Sequence, residues 1–241
     1  MRVIVSGSHG VMGGHLLRIL REGGKHTVAA EVSRSSAEYP TVASFSGEAD
    51  VVIDFSNHEN TAALLSACVE RRLPVVIATT GQTAEEKAMI SSAAEQIPVF
   101  YSGNMSLGIA VLVELAKQAA KMFPDADIEI IERHHIRKAD APSGTALMLA
   151  DAVREVRPQA WYRIGRTTES GKRTKDEIGI HALRYGNEVG THEVIIATPN
   201  QVLTLKHEAE NRALFAEGAV AAAEFLVRQQ PGLYAMKDLT A

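Results

Sequence analysis

The chain has 241 residues, 46% of them hydrophobic and 22% charged, with a net charge of −4 and a pI near 6.1. That length suffices for one large or two modest globular domains, and the balance excludes disorder, collagen and coiled coil for the whole. A mildly acidic chain predicts neither a nucleic-acid nor an anionic-membrane binder, and no apolar run reaches the eighteen or so residues of a membrane span. Cys68 is the only cysteine, so intramolecular disulfides and cysteine zinc sites are excluded. The chain starts directly in strand-like sequence with no leader pattern, which predicts a cytoplasmic protein.

In chain order, short Val/Ile-rich runs alternate with helical patterns over the first hundred residues. The runs are Val3–Ser6, Thr27–Glu31, Val51–Phe55, Val75–Thr79 and Val99–Tyr101. Helices are expected over Val11–Glu22, Glu59–Arg71 and Ala84–Gln96, with Ser56, Thr83 and Ser106 as N-caps. Strands apolar on both faces and alternating with helices predict a doubly wound parallel sheet of Rossmann type. The rhythm then changes. A helix over Leu107–Met122 leads to a strand Ile128–Arg133, a polar stretch, and a helix from Gly144 to Arg154. Residues 155–177 show no period. Ile178–Arg184, His192–Ala197 and Val202–His207 arrive without helices between them and predict an α+β domain on a mostly antiparallel sheet. A last helix spans Asn211–Arg228.

The first strand–helix turn, Gly7-Ser8-His9-Gly10-Val11-Met12-Gly13, has the small residues that let a backbone approach a pyrophosphate at a helix N-terminus. Its second glycine falls one position later than in the usual dinucleotide fingerprint. Glu31, at the end of the second strand, is placed to accept ribose hydroxyls. The turns after later strands, Ala78-Thr79-Thr80 and Ser102-Gly103-Asn104-Met105, open onto the same crevice and complete a candidate cofactor site.

The densest chemistry lies in Glu132-Arg133-His134-His135-Ile136-Arg137-Lys138-Ala139-Asp140-Ala141-Pro142-Ser143-Gly144-Thr145. A histidine exchanges protons near neutrality, and a lysine meets an anion or a developing negative charge. In extended backbone His134 and His135 face opposite ways, so both reach one ligand only if the strand bends. Ser143 caps a helix whose first amides, at Gly144 and Thr145, suit a carboxylate. Competing readings are a solvated basic face over Arg133–Lys138 and a zinc site among His134, His135, His181, His192 and His207, which no helical spacing supports. From Arg154 to Lys175, seven basic residues face two acids; the segment is either a solvated loop or a field that steers a dianionic substrate.

Glu132–Thr145 meets the pattern E-x-H-H-x-x-K-x-D-A-P-S-G-T in full, and so resembles the 4-hydroxy-tetrahydrodipicolinate (dihydrodipicolinate) reductase family. Gly7–Gly13, Asp54-Phe55-Ser56, Thr79-Thr80-Gly81 and Asn104–Gly108 resemble further family motifs, as do Arg184–His192 and His207–Ala219. The resemblance implies an NADH- or NADPH-dependent reductase of a cyclic imine dicarboxylate in lysine and diaminopimelate synthesis, without a metal. It also implies a homotetramer associated through the second domain's sheet. His134 would donate the proton and Lys138 assist, while His135, Gly144 and Thr145 hold the carboxylates. Gly7, Ser8, His9, Gly10, Val11, Met12, Glu31, Arg34, Ala78, Thr79, Thr80, Ser102, Gly103, Asn104 and Met105 would bind the cofactor. The implied domains are 1–105 with 210–241, and 106–209. Val11 stands where many members carry an arginine, so NADH is expected to serve at least as well as NADPH, with Glu31 repelling a 2′-phosphate and Arg34 partly replacing the missing charge. Other readings are a non-catalytic dinucleotide sensor and a dehydrogenase of a small amino or imino dicarboxylate.

Overall fold

The computed structural model describes residues 1–240. It falls into two compact units, Met1–Leu107 together with the chain from Arg212 onward, and Gly108–Asn211.

In the first unit the strands are β1 (Arg2–Ser6), β2 (Thr27–Val32), β3 (Val51–Asp54), β4 (Val75–Ile77), β5 (Pro98–Tyr101) and β11 (Gly232–Tyr234). All pair in parallel, in the order β11-β5-β4-β3-β1-β2. Val3, Ile4, Val5, Val51, Val52 and Ile53 are fully buried, as strands covered on both faces require. Helices α2 (Thr61–Arg71) and α3 (Ala84–Ala94) cover one face; α1 (Val11–Glu22) and α6 (Ala213–Leu226) pack together on the other. Thr83 caps α3 in a reciprocal box with Glu86, whereas Ser56 is no cap: Asn57 accepts the Glu59 amide at the one-turn helix His58–Asn60. Gly218 of α6 sits against the turn after β5, where an added Cβ would lie 1.7 Å from the Met105 carbonyl oxygen.

The second unit contains α4 (Leu107–Met122), β6 (Asp127–His134), α5 (Gly144–Val156), β7 (Trp161–Ile164), β8 (Glu177–Arg184), β9 (Gly190–Thr198) and β10 (Gln201–Ala209). Its sheet runs β10-β9-β6-β8-β7. The sheet is mixed rather than mostly antiparallel, because β6–β8 and β7–β8 pair in parallel and only β6–β9 and β9–β10 are antiparallel. The crossover through α5 carries the chain from β6 to β7 at the sheet edge in the same direction, and residues 165–176 then return it to lay β8 between the two. β7 lies inside the stretch without periodicity. Both helices cover one face, where Ile109, Leu112, Leu149 and Val153 meet Ile128, Ile130, Ile178 and Val194.

The basic segment is largely committed to this scaffold. Arg157 is buried and donates to the carbonyls of Ala120, Phe123 and Ala126; Arg163 and Arg166 bind the buried Glu177. Arg173 pairs with Asp127 and Glu129, and Lys175 with Asp125. Arg154 lies over the Tyr162 ring. Four of the seven, Arg163, Arg166, Arg173 and Lys175, are thus paired with carboxylates within the scaffold, while Lys172 is exposed.

Candidate active site

Along β6 burial alternates, and the buried face reads Ile128, Ile130, Glu132, His134. The apolar stripe thus turns polar at the strand's end, beneath the start of α5. Register places His192 of β9 opposite Glu132, and Arg184 of β8 opposite His134.

Glu132 is fully buried and accepts four hydrogen bonds. Oε2 receives His134 Nδ1 at 2.5 Å and Arg184 Nη1 at 2.7 Å; Oε1 receives Arg184 Nη2 at 2.7 Å and the Ser143 amide at 2.9 Å. Burial alone would raise its pKa, but the bonds from His134, Arg184 and the Ser143 amide outweigh that and bring it down to about 2. An anion that only accepts fixes the proton of His134 on Nδ1 and leaves Nε2 as the working nitrogen. Gly190 lies directly against that nitrogen, since an added Cβ would sit 3.0 Å from Nε2. The His192 ring meets His134 edge-on, 5.2 Å between centroids, and its Nε2 lies 3.0 Å from Ser143 Oγ. Burial, helped by the charge at His134, pushes the His192 pKa down to about 3, so it stays neutral.

Ser143 caps α5 by accepting the Ala146 amide. A Cβ on Gly144 would meet nothing within 4 Å, so the first turn with Thr145 lies against open space. His134 is the last residue of β6. The chain then turns, with the His135 amide bonded to the Glu188 carbonyl and the Lys138 amide to the His135 carbonyl. Lys138 Nζ holds Asp140 Oδ1 at 2.8 Å, and Arg184 Nη2 donates to the Asp140 carbonyl at 2.6 Å. Arg184 thereby ties the lysine's loop to the buried carboxylate. Glu132, Arg184, Ser143, His192 and Gly190 were not picked out as site residues by the sequence reading. The signal was there in Glu132 and His134, two polar residues two apart on the apolar face of one strand.

In the first unit, Gly7 has a φ of +82°, and a Cβ there would lie 2.5 Å from the Phe55 carbonyl oxygen. The Gly7 and Ser8 amides both bond the Val32 carbonyl. A cavity of about 210 Å³ opens beyond this turn, lined by Gly7, Gly10, Val32, Ser33, Arg34 and Asn57 among others. A second, of about 250 Å³, is lined by Ala78, Thr79 and Thr80 with Ser56 and His58. Thr79 Oγ1 is 2.6 Å from Oδ2 of the buried Asp54 and so anchors its turn. Ser102 Oγ bonds both the carbonyl and the amide of Asn104, while Met105 is buried. Val11 and Met12 open α1, Val11 largely exposed. Glu31 does not join these residues. It pairs with Arg21 of α1 and, with His9, lines a separate groove along β2. The glycine turn, the neutral strand end and the adjoining cavity fit a dinucleotide. Among the described residues, no three His, Cys, Asp or Glu side chains are grouped to hold a metal ion, and no helix is long and apolar enough to cross a membrane.

Two family models match, dihydrodipicolinate reductase N-terminus over residues 1–105 and C-terminus over residues 108–240. A 4-hydroxy-tetrahydrodipicolinate reductase of Caldanaerobacter subterraneus is 47% identical, the match covering 99% of this chain and 98% of the relative. One of Staphylococcus epidermidis is 37% identical, over 99% of this chain and 100% of the relative. Among solved structures, the dipicolinate-bound dihydrodipicolinate reductase of Paenisporosarcina has the same fold, with a TM-score of 0.79 at 24% identity over 99% of both chains. With both halves matched and relatives aligned from end to end, the chain belongs to the dihydrodipicolinate reductase family.

Proposed function

We propose that the protein reduces 4-hydroxy-tetrahydrodipicolinate to tetrahydrodipicolinate with NADH or NADPH, in lysine and diaminopimelate synthesis. The observation that carries this reading is the Glu132–His134 pair, buried at the polar end of the second unit's core beside the open first turn of α5. When bound, the reduced nicotinamide supplies the hydride. Overall, substrate, NAD(P)H and a proton give product, NAD(P)+ and water.

His134 Nε2 holds the proton that the neighbouring ring carbon takes up, while Glu132 steadies the imidazole through Nδ1. Lys138 exchanges Asp140 for the substrate and meets the charge that develops on it. Gly144, Thr145 and His135 hold the carboxylates, the first two through the α5 N-terminus. The first unit is the nucleotide domain and the second the substrate domain, also the seat of a homotetramer of this cytoplasmic enzyme. A bare sensor would need neither a buried Glu–His pair nor a lysine beside it.

The test follows NAD(P)H absorbance with enzymatically generated substrate. His134→Gln and Lys138→Ala each lower kcat at least about a hundredfold, in the range of positioned proton donors. His135→Gln raises KM chiefly. Wild-type turnover in His134→Gln would sink the proton-donor assignment.

A further inference from the structure

His58 stands on the one-turn helix between β3 and α2. It lies outside every motif that carried the family resemblance and outside the cofactor residues expected from it. Asn57 caps that turn by accepting the Glu59 amide, which fixes where the ring leaves the backbone. His58 lines the cavity of about 250 Å³ together with Ser56, Thr79 and Thr80, and it is the one titratable side chain among the lining residues. Phe55, Ser56 and Asn57 also line the cavity beside the glycine turn, so the two cavities adjoin along the turn after β3.

The ring is held on two sides. Nδ1 lies 3.1 Å from Oε1 and 3.0 Å from Oε2 of Glu86. Glu86 is itself locked at the start of α3, where its Oε2 accepts the Thr83 amide at 2.8 Å. That amide first, and then His58, hold its carboxyl below the ordinary carboxylate range. An anion there takes the ring proton at Nδ1 and leaves Nε2 as an acceptor. A Cβ on Gly81 would lie 3.4 Å from Cδ2, so the edge next to Nε2 rests on the turn after β4. Nε2 has no partner among the described residues. An acceptor in a cavity walled by small polar residues, with no lysine or arginine among them, suits a sugar hydroxyl rather than a phosphate.

We propose that His58, oriented by Glu86, binds a hydroxyl of the ribose that carries the nicotinamide, and so fixes the reacting half of the dinucleotide in this chain. The inference rests on the dinucleotide reading of the first unit. With the pyrophosphate on the glycine turn and the adenosine side toward Arg34, the adjoining cavity takes the other ribose. Glu86 and Gly81 hold the ring before the cofactor arrives, so binding orders it little further.

Calorimetry on the full-length protein without substrate compares 5′-ADP, ADP-ribose and NADH. The variant is His58→Phe, which keeps a ring against Gly81 but has no acceptor. In wild type, ADP-ribose binds at least about fivefold more tightly than 5′-ADP, the size of one net hydrogen bond. In His58→Phe that ratio falls to within about twofold of one and NADH weakens at least about fivefold, while 5′-ADP stays within about twofold. A ratio near one in wild type, or a ratio unmoved in His58→Phe, would overturn the assignment while leaving the dinucleotide reading standing. Equal weakening of all three ligands would overturn it too, because the ring would then merely prop the turn. If none of the three binds wild type, both readings fail together.

Discussion

Replacing Glu132 by Gln exchanges one carboxylate oxygen for an NH2 group and changes little else. If Oε2 is the oxygen lost, His134 Nδ1 and Arg184 Nη1 face a donor; if Oε1, the Ser143 amide and Arg184 Nη2 do. Either orientation forfeits two of four hydrogen bonds and leaves a guanidinium without its anion. Breaking a buried pair from one side costs about 3–5 kcal/mol. For a chain of this size that lowers Tm by about 6–20 °C. In the first orientation His134 loses the acceptor that fixes its proton and in the second it keeps only a neutral one, so kcat falls by about a hundredfold at temperatures where the variant remains folded. Calorimetry and initial rates measure the two effects separately. A variant within 2–3 °C of wild type and within about threefold in kcat would refute the assignment of Glu132 as the anchor of the site.

Acid stability depends on the same cluster. His192 is neutral with its pKa near 3, below the ordinary 6.5, so the unfolded chain binds a proton the native one refuses, and stability falls as pH drops from about 6.5 to about 3. Denaturant titrations should show His192→Gln losing up to about 1.4 kcal/mol per pH unit less over that range; the Glu132 contribution, present above about 4.5, goes only as pH falls toward 2. Gly190→Ala crowds His134 Nε2 and should lower kcat about tenfold with an unchanged circular dichroism spectrum. Gly218→Ala, which would gain about 0.5–1 kcal/mol in an open helix, should cost about 2–3 kcal/mol in urea because its Cβ meets the Met105 carbonyl. Arg173→Glu should destabilise the second unit and leave substrate KM within about twofold, since Arg173 is held by Asp127, Glu129 and the Ile128 and Glu177 carbonyls.

The strands of the first unit were legible because doubly covered strands must be apolar throughout, and Val3–Val5 and Val51–Ile53 leave no other reading. β7 and β11 were not, being four and three residues long and partly exposed, too short to carry a period. His134 was legible from its local motif. Its neighbours were not, because Arg184 and His192 are brought beside Glu132 by strand register, which depends on the 42 residues (135–176) between β6 and β8 and on no local pattern. The pairing of Glu31 with Arg21 was illegible for a subtler reason: one inserted residue at the β2 bulge exchanges the two faces of the strand, and the alternation of side chains betrays nothing of it.

The interrupted first unit has a consequence for how the protein is made. When the ribosome has delivered Leu107, β5 still lacks its outer neighbour and the bed of α6 is bare, because α6 begins 106 residues downstream (213 − 107) and β11 125 (232 − 107). At about 5–20 residues per second that interval lasts about 6–25 s. The contiguous second unit emerges whole within it and is free to fold first. The nascent chain thus matures from its middle outward, and any premature stop before Ala213 releases a product with an open sheet margin, a substrate for chaperones or for aggregation.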